Sequence, residues 1–509
     1  MSDTNELPPG WTRASVAAIG ADADQAVLTG PFGSKLKSGD FQSFGTPVLT
    51  IGCLTERGLD LRKANFISDA LACEFDRYRL RPGDLLFSRM ASVGRVCKVP
   101  PDHDRSLFNY HLMRLRLCEE AYLPDLFVQF IRGSRTVVAH LEEVNHGATR
   151  DGINTGQLLA MPVEVPPVPE QHRILAKLQA LQARSDAAKE ALDAIPPLLA
   201  KFRQSVLAAA FRGDLTKKWR EAHPQVEPAS ELLARVRAER RRKWLGANPR
   251  KQYVEPEPVD TEGLPGLPDG WCWAAAEDIV EPGADIVYGI VQPGPEWPNG
   301  VPYVRGKDIQ DGKILIDQLL RTSPEIAERY HRAALEGGDV LLGIIRATKV
   351  AIVPPELAGA NLTQGTARFR PSSVISTSYL AAYLDCPFAQ NWLHAQYRGI
   401  DMPGLNLRDV RRLPVALCPL NEQVTIQAKV AQHMGSLVSA RSAAEAAAVN
   451  LATLNQAILA KAFRGELVPQ DPNDEPASVL LERIRHERAA ASDQGTVKRG
   501  RGRPKSATP

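Results

Sequence analysis

Apolar residues along this chain keep two rhythms, and each rhythm is met twice. In the first, Val, Ile, Leu and Phe alternate with polar residues over short runs broken by Gly and Pro. TPVLTIGCL, DLLFSRM and HLMRLRL show it in the first half; VPYVRG, DVLLGII and VAIVPP show it in the second. Short alternation of this kind predicts strands. The helical stretches LPDLFVQFIRG and SYLAAYLD lie among them, so residues 7–166 and 267–418 each read as a compact α/β (α+β) domain.

The second rhythm has steps of four and three. Ile174, Leu178, Leu181, Ser185, Ala188, Leu192, Ile195, Leu199, Phe202, Val206 and Ala209 follow it in the first half. Ile426, Val430, His433, Leu437, Ala440, Ala444, Ala447, Leu451, Leu454 and Ile458 follow it in the second. Heptads held this long predict coiled-coil helices, and small residues in both seams suit close helix axes. Glu170 and Glu422 fall in the first turns, with Asn421 expected as an N-cap. Arg212-Gly213 and Arg464-Gly465 supply a cation and a stop. Each helix is then about 40 residues, roughly 60 Å. Pro196-Pro197 removes backbone donors from the first and predicts a bend there.

Both rhythms belong to one duplicated unit. QSVLAAAFRGDL at 204–215 returns as QAILAKAFRGEL at 456–467, and EPASELLARVRAER at 227–240 returns as EPASVLLERIRHER at 475–488. Pro167, Glu170 and Gln171 return as Pro419, Glu422 and Gln423; LPPGW at 7–11 returns as LPDGW at 267–271; Gly83-Asp84 returns as Gly338-Asp339. A repeat half the chain long is a doubled two-part unit and not a solenoid. A chain ordered domain, helix, domain, helix satisfies both seams by folding the helices antiparallel, with the domains separated by the helix pair and related by a pseudo-two-fold. The expected partition is 1–166 (domain), 167–245 (helical), 246–266 (linker), 267–418 (domain), 419–490 (helical) and 491–509 (disordered basic tail).

Composition narrows the chemistry. The 509 residues carry 44% hydrophobic and 24% charged side chains and a formal net charge of only +3, so any basic surface is local. Seven cysteines without a C-x-x-C pair suggest reduced thiols and no zinc site. The opening MSDTNELPPGW has no apolar h-region, and the apolar stretch 340–353 is interrupted by Arg346 and Lys349; a soluble, cytoplasmic protein with no membrane partner is expected. No phosphate-binding G-x-x-x-x-G-K-[ST], methyltransferase or nuclease motif and no metal-spaced histidines are found, so no catalytic residue, no metal site and no cofactor of the chain's own are expected.

The ordered set LPPGW at 7–11, Gly33-Ser34-Lys35-Leu36-Lys37, PGDLL at 82–86, PPVPEQ at 166–171 and AFRGDL at 210–215 resembles specificity subunits of type I restriction-modification systems. The resemblance spans nearly the whole chain. It implies a non-catalytic, cytoplasmic, DNA-binding subunit of a host-defence complex, with two target-recognition domains each reading half of a split double-stranded DNA target. The helices are implied to act as ruler and as docking surface for two methyltransferase subunits, with restriction motor-nuclease subunits bound in turn. S-adenosylmethionine, ATP and Mg are implied on those partners. The domains have diverged more than the helices (SRMASVGRV at 88–96 against GIIRATKV at 343–350), which predicts an asymmetric target.

Reading bases calls for Arg, Lys, Asn and Gln at base edges and cations at phosphates. The loop-borne candidates are Lys35, Lys37, Ser88, Arg89, Arg95, Arg150 and Asn154 in the first domain. In the second they are Arg305, Lys307, Arg346, Lys349, Arg398 and Arg408. Arg89 and Arg346 both follow the Gly-Asp pair of their copy. A basic run from Arg235 to Lys243 reads as a solvated helix face or as a phosphate or partner contact, and RGRP at 501–504 has the form of a minor-groove hook. Two other functions stay open: a DNA-recognition module of another modification system, and a coiled-coil protein adaptor without DNA specificity.

Overall fold

The computed structural model describes residues 6–21, 26–31, 36–55, 58–89, 95–103, 105–134, 136–137, 140 and 152–499, with backbone alone at 38 and 491–499. The chain forms two compact units, Met1–Leu192 with Ala446–Pro509 and Asp193–Glu445. Two long helices pass along the chain from one unit into the other: α1 (Val168–Phe211, 44 residues) and α3 (Leu420–Ala462, 43 residues). Each is followed by a shorter helix, α2 (Ala229–Ala247) and α4 (Ala477–Arg499).

The α+β fold is laid down twice, strand for strand. The first unit has β1 (Thr12–Ser15), β2 (Val27–Thr29), β3 (Thr46–Leu49), β4 (Asn65–Ile67), β5 (Leu85–Ser88), β6 (Val96–Lys98), β7 (Leu107–Phe108), β8 (Leu112–Leu115) and β9 (Pro162–Val165). They form a pair β1-β9, a sheet β2-β8-β5-β6 and a sheet β4-β3-β7. The second unit has β10 (Cys272–Ala275), β11 (Val287–Tyr288), β12 (Val301–Val304), β13 (Leu320–Thr322), β14 (Val340–Gly343), β15 (Val350–Ile352), β16 (Asn361–Leu362), β17 (Thr366–Phe369) and β18 (Pro414–Leu417). Its sheets are β10-β18, β11-β17-β14-β15 and β13-β12-β16, the same order with nine added to each number. The inner strands β5, β8, β14 and β17 are buried along their whole length. Layers cover both faces of these strands, so LLFS and VLLG are unbroken runs and not alternating ones. LPDLFVQFIRG and SYLAAYLD become the helices Pro124–Gly133 and Thr377–Leu384, as predicted.

The repeated motifs are fasteners. Trp11 donates its indole N–H to Glu170 Oε2 at 3.0 Å, and Trp271 donates to Glu422 Oε2 at 2.8 Å. Gln171 Nε2 donates to the Ala121 and Pro166 carbonyls while its Oε1 accepts from Leu123 N–H. Gln423 repeats this with Val374, Cys418 and Ser376. P-x-x-E-Q thus locks the first turn of each long helix to its own domain. Asp84 and Asp339, both 1% exposed, each take a two-pronged bond from an arginine: Arg116 at 2.6 and 2.8 Å, Arg370 at 2.9 and 3.0 Å.

Each copy's helix end closes the other copy's domain. Gly213 and Gly465 stop α1 and α3 with φ of 78° and 72°. A Cβ on Gly213 would stand 2.5 Å from the Pro268 side chain, and one on Gly465 would stand 2.4 Å from Pro8, so close approach as well as the left-handed turn requires glycine. Ala229 N–H donates to Gly270 O at 2.8 Å, and Ala477 N–H donates to Gly10 O at 2.9 Å. In the first unit Ile174, Leu178, Ala462, Phe463, Leu480 and Ile484 join the domain core, and Ser185 Oγ bonds Asn455 Oδ1 at 2.9 Å. In the second unit Leu207, Ala210 and Phe211 share a core with Ile426 and Val430, and the rings of Phe202 and His433 meet at 6.1 Å. Within each unit, therefore, the two helix segments pair antiparallel.

Several expectations need correction. Leu420 is already helical, so Asn421 lies inside the first turn of α3 and Pro419, whose carbonyl accepts from Gln423 N–H, holds the cap position. The seam is open in places: Phe202 is 48% and Leu454 54% exposed, because two helices alone cover only part of each stripe. The basic run is in part internal: Arg237 Nη2 and Arg240 Nη1 lie 2.5 and 3.5 Å from the fully buried Asp278, and Arg240 also bonds Val280 O. Finally, α4 continues to Arg499, into the span 491–509 expected to be disordered, since the alanines at 489–491 favour helix. The RGRP at 501–504 lies outside the described residues. No helix among them is long and apolar enough to cross a membrane.

Candidate nucleic-acid interface

In the first unit Ser88, Arg89 and Arg95 gather where β5 leaves its sheet and β8 enters it. Ser88, fully buried, donates its N–H to Arg95 O at 2.9 Å and accepts from Arg95 N–H on Oγ at 3.1 Å. Arg89 N–H donates to His111 O at 3.1 Å, and Arg89 O accepts from Ile153 N–H at 2.9 Å. Three loops are therefore stitched together at the backbone of one arginine. Its guanidinium is half-buried, with Nη1 3.5 Å from Tyr110 O. The Tyr110 and His111 rings lie 3.8 Å apart, and burial, followed by the Arg89 charge, pushes the His111 imidazole below its usual value. Arg95 is exposed beside them.

Two other first-domain candidates are described, Asn154 and Lys37. Asn154 caps the helix Thr155–Ala160: its Oδ1 accepts from Gln157 N–H and Gln157 Oε1 accepts from its own N–H, both at 2.9 Å. Its carbonyl is committed to local structure, as is that of Asn406 in the second unit. Ser88 likewise serves its own turn. Lys37 is exposed beside a 3-10 turn, its N–H held by Asp40 Oδ2, and no described contact joins it to Arg89. Lys35 and Arg150 lie outside the described residues.

The second unit uses the same frame with different side chains. Ile344 N–H donates to Gly365 O at 2.9 Å and Ile344 O accepts from Leu405 N–H at 2.8 Å. These are the bonds that Arg89 makes with His111 and Ile153, so the counterpart of Arg89 is Ile344 and not Arg346. Arg346 stands two residues further on, exposed, with φ of 66° and its N–H on Pro403 O at 2.8 Å. A non-glycine residue in that region is strained and persists only where its surroundings hold it. Arg398 and Gly404 exchange two backbone bonds of 3.0 and 2.9 Å, closing the loop 399–403. Lys349 O accepts from Gly343 N–H, and Lys307 sits on a turn whose Gly306 adjoins Gly365. Lys307, Arg346, Lys349, Arg398 and Arg408 are all exposed. Arg398 has a loose partner in Asp409 at 3.4 Å.

Arg305 is the clear correction. Its Nε and Nη2 grip Asp308 at 2.8 Å each, and this carboxylate holds the guanidinium above its usual pKa. That arginine closes a turn. Tyr110, His111 and the apolar tip residues Ile400 and Met402 went unnoticed in the sequence. The signal for the first pair was an amide-aromatic-imidazole string (NYH at 109–111) between two strands; for the second it was apolar residues in a Gly-and-Pro loop.

A family model described as the type I restriction modification DNA specificity domain matches residues 33–196 and 293–441. The chain is 27% identical over 497 residues to the type I restriction enzyme EcoBI specificity subunit of Escherichia coli, covering 94% of this chain and 93% of that one. It is 22% identical over 518 residues to the StySPI specificity subunit of Salmonella potsdam, covering 97% and 99%. Among solved structures, a chain from work on the assembly and conformational transition of a type I R-M system superposes with a TM-score of 0.58 at 19% identity, over 91% of this chain and all of that one. That likeness is one of fold.

Proposed function

The chain belongs to the type I restriction-modification DNA specificity family, a family of non-catalytic recognition subunits, and from that premise we propose that it reads an asymmetric, two-part duplex target with one loop cluster in each unit. The observation carrying this reading is a matched backbone frame with unlike chemistry at matched positions. Where the first unit has Arg89 beside His111, the second has Ile344 beside Gly365. A copied frame aims both clusters alike, and different side chains on it select different bases.

In this reading Arg89 and Arg95 in the first unit, with Arg346, Lys349, Arg398, Arg408 and Lys307 in the second, supply the contacts to bases and phosphates. Lys37, and Lys35 and Arg150 in the undescribed stretches, act at phosphates. The partners are two methyltransferase subunits and restriction motor-nuclease subunits, which bring S-adenosylmethionine, ATP and Mg. Mapping methylated sites in cells that express the chain with a modification partner tests the proposal. Two unlike half-sites at one fixed spacing are expected. A single uninterrupted motif, or a palindrome, overturns it.

A further inference from the structure

The loop 399–403 carries more apolar surface into solvent than its surroundings explain. Ile400 is 98% and Met402 57% exposed, with Asp401 exposed between them. The loop is not slack: Arg398 and Gly404 pair across its base, Gly399 turns it at φ of 96°, and Pro403 O receives the N–H of the strained Arg346. Arg398 stands exposed at its base, and Arg346 stands exposed on the turn bonded to Pro403. An apolar tip tied at its base beside two cations has the character of a surface that meets a polyanion with something hydrophobic to offer.

Building on the reading above, we propose that this tip enters the major groove of the second half-site and that Ile400 packs on the 5-methyl group of a thymine there, making it a specificity-determining residue. The groove follows from Asp401. The minor groove displays chiefly acceptors and, over A·T tracts, an enhanced negative potential, both hostile to a carboxylate. The major groove offers amino donors on cytosine and adenine, and its only apolar feature is the thymine methyl. A β-branched Ile is stiff and loses little freedom when it makes such a contact. The two copies part at this place: Ala148 and Arg150 occupy the positions of Ile400 and Met402 in the first half of the sequence, when Ile153-Asn154 is aligned with Leu405-Asn406.

The test measures binding of the assembled methyltransferase complex, wild type and Ile400→Ala, to its selected target, with uracil replacing each thymine in turn. At one thymine of one half-site the wild type should lose about fourfold in affinity, the factor expected for one buried methyl group. Ile400→Ala should lose at least as much on the natural target and be indifferent to uracil at that position. Because Ile400 is almost fully exposed, the substitution leaves folding intact, which an unchanged melting temperature checks. A variant with wild-type affinity, or one that keeps the full uracil penalty, overturns the proposal, as does a target without thymine. A loss in the variant with no uracil effect anywhere, accompanied by reduced DNA bending, would make the tip a wedge instead. A wild-type complex that selects no sequence removes the reading of the chain as a base reader, and this inference with it.

Discussion

Trp11 and Glu170 are joined by a 3.0 Å bond from the indole N–H to a carboxylate that is 1% exposed, and Trp271 with Glu422 repeats the bond in the second unit. The two glutamates differ in their second partner. Glu170 Oε1 accepts from Gln470 at 3.2 Å, whereas Glu422 Oε1 accepts from Thr216 and from the Arg220 guanidinium, each at 2.7 Å. One copy thus buries its carboxylate against neutral donors and the other against a cation. The same motif has different electrostatics in its two settings.

That difference gives a pH signature. Burial raises the Glu170 carboxyl above 4.5, with the bonds from Trp11 and Gln470 opposing the shift in part. A carboxyl whose folded pKa lies above its unfolded value contributes stability that is fully present below the unfolded pKa and is lost as pH rises through the folded one. Glu170→Gln stays neutral at every pH and keeps an acceptor for Trp11. It should therefore lose less stability than the wild type between pH 4.5 and pH 7, whatever the constant offset between the two. Urea unfolding at both pH values measures this, and parallel profiles would contradict it.

The Gly-Asp pairs predict a separation of stability from specificity. Asp84 and Asp339 are buried beneath Arg116 and Arg370 and also accept the N–H of Arg81 and Glu336 at 2.8 Å. Replacing either by Ala strands a partly buried guanidinium and a backbone donor, at a cost of about 2–4 kcal/mol. The methylated sequence should nevertheless stay the same in whatever protein still folds. A changed motif at unchanged stability would place these aspartates at the DNA.

Pro196 and Pro197 lie inside α1, where they leave the carbonyls of Leu192 and Asp193 without helical donors. The helix is continuous regardless. Converting both to Ala restores two donors and improves helix propensity; stability should rise by about 1–3 kcal/mol. A melting temperature equal to or below that of the wild type would show that the prolines fit their surroundings better than an ideal helix does.

The duplication, the strands and both long helices were legible because each rests on local periodicity or on words repeated in the chain. What the words do was not legible. LPPGW looked like a repeated motif, but its meaning lies in Pro8 packing on Gly465 and Trp11 bonding Glu170, partners far away along the chain. Arg237 and Arg240 looked like part of a charged helix face, because nothing local announces that Asp278 lies beneath them. The site failed in the same way. Arg305, Asn154 and Arg346 were equal as loop residues, yet an ion pair occupies the first, a helix cap the second, and only the third stands free of both. Composition marks which side chains suit DNA, whereas their neighbours decide which are available.

The two arginines that stand at the loop clusters supply the sharpest functional contrast. Arg89 is held by His111 and Ile153 in the first unit, and Arg346 by Pro403 in the second. Since each belongs to a different compact unit, truncating one leaves the other's surroundings untouched. A lost base contact costs about 1–3 kcal/mol and relaxes preference at its own position, while a lost phosphate contact weakens binding to all sequences alike. Arg89→Ala should make one half of the methylated motif degenerate and Arg346→Ala the other half, each with roughly a five- to hundredfold loss of affinity for the full target. Methylome sequencing of the two variants, with affinity measured on the same assembled complexes, separates the possibilities. If both substitutions loosened the same half, the assignment of one half-site to each unit would fail. If both lowered affinity without changing the motif, these arginines would be phosphate contacts, and base reading would have to fall to other residues of the loops.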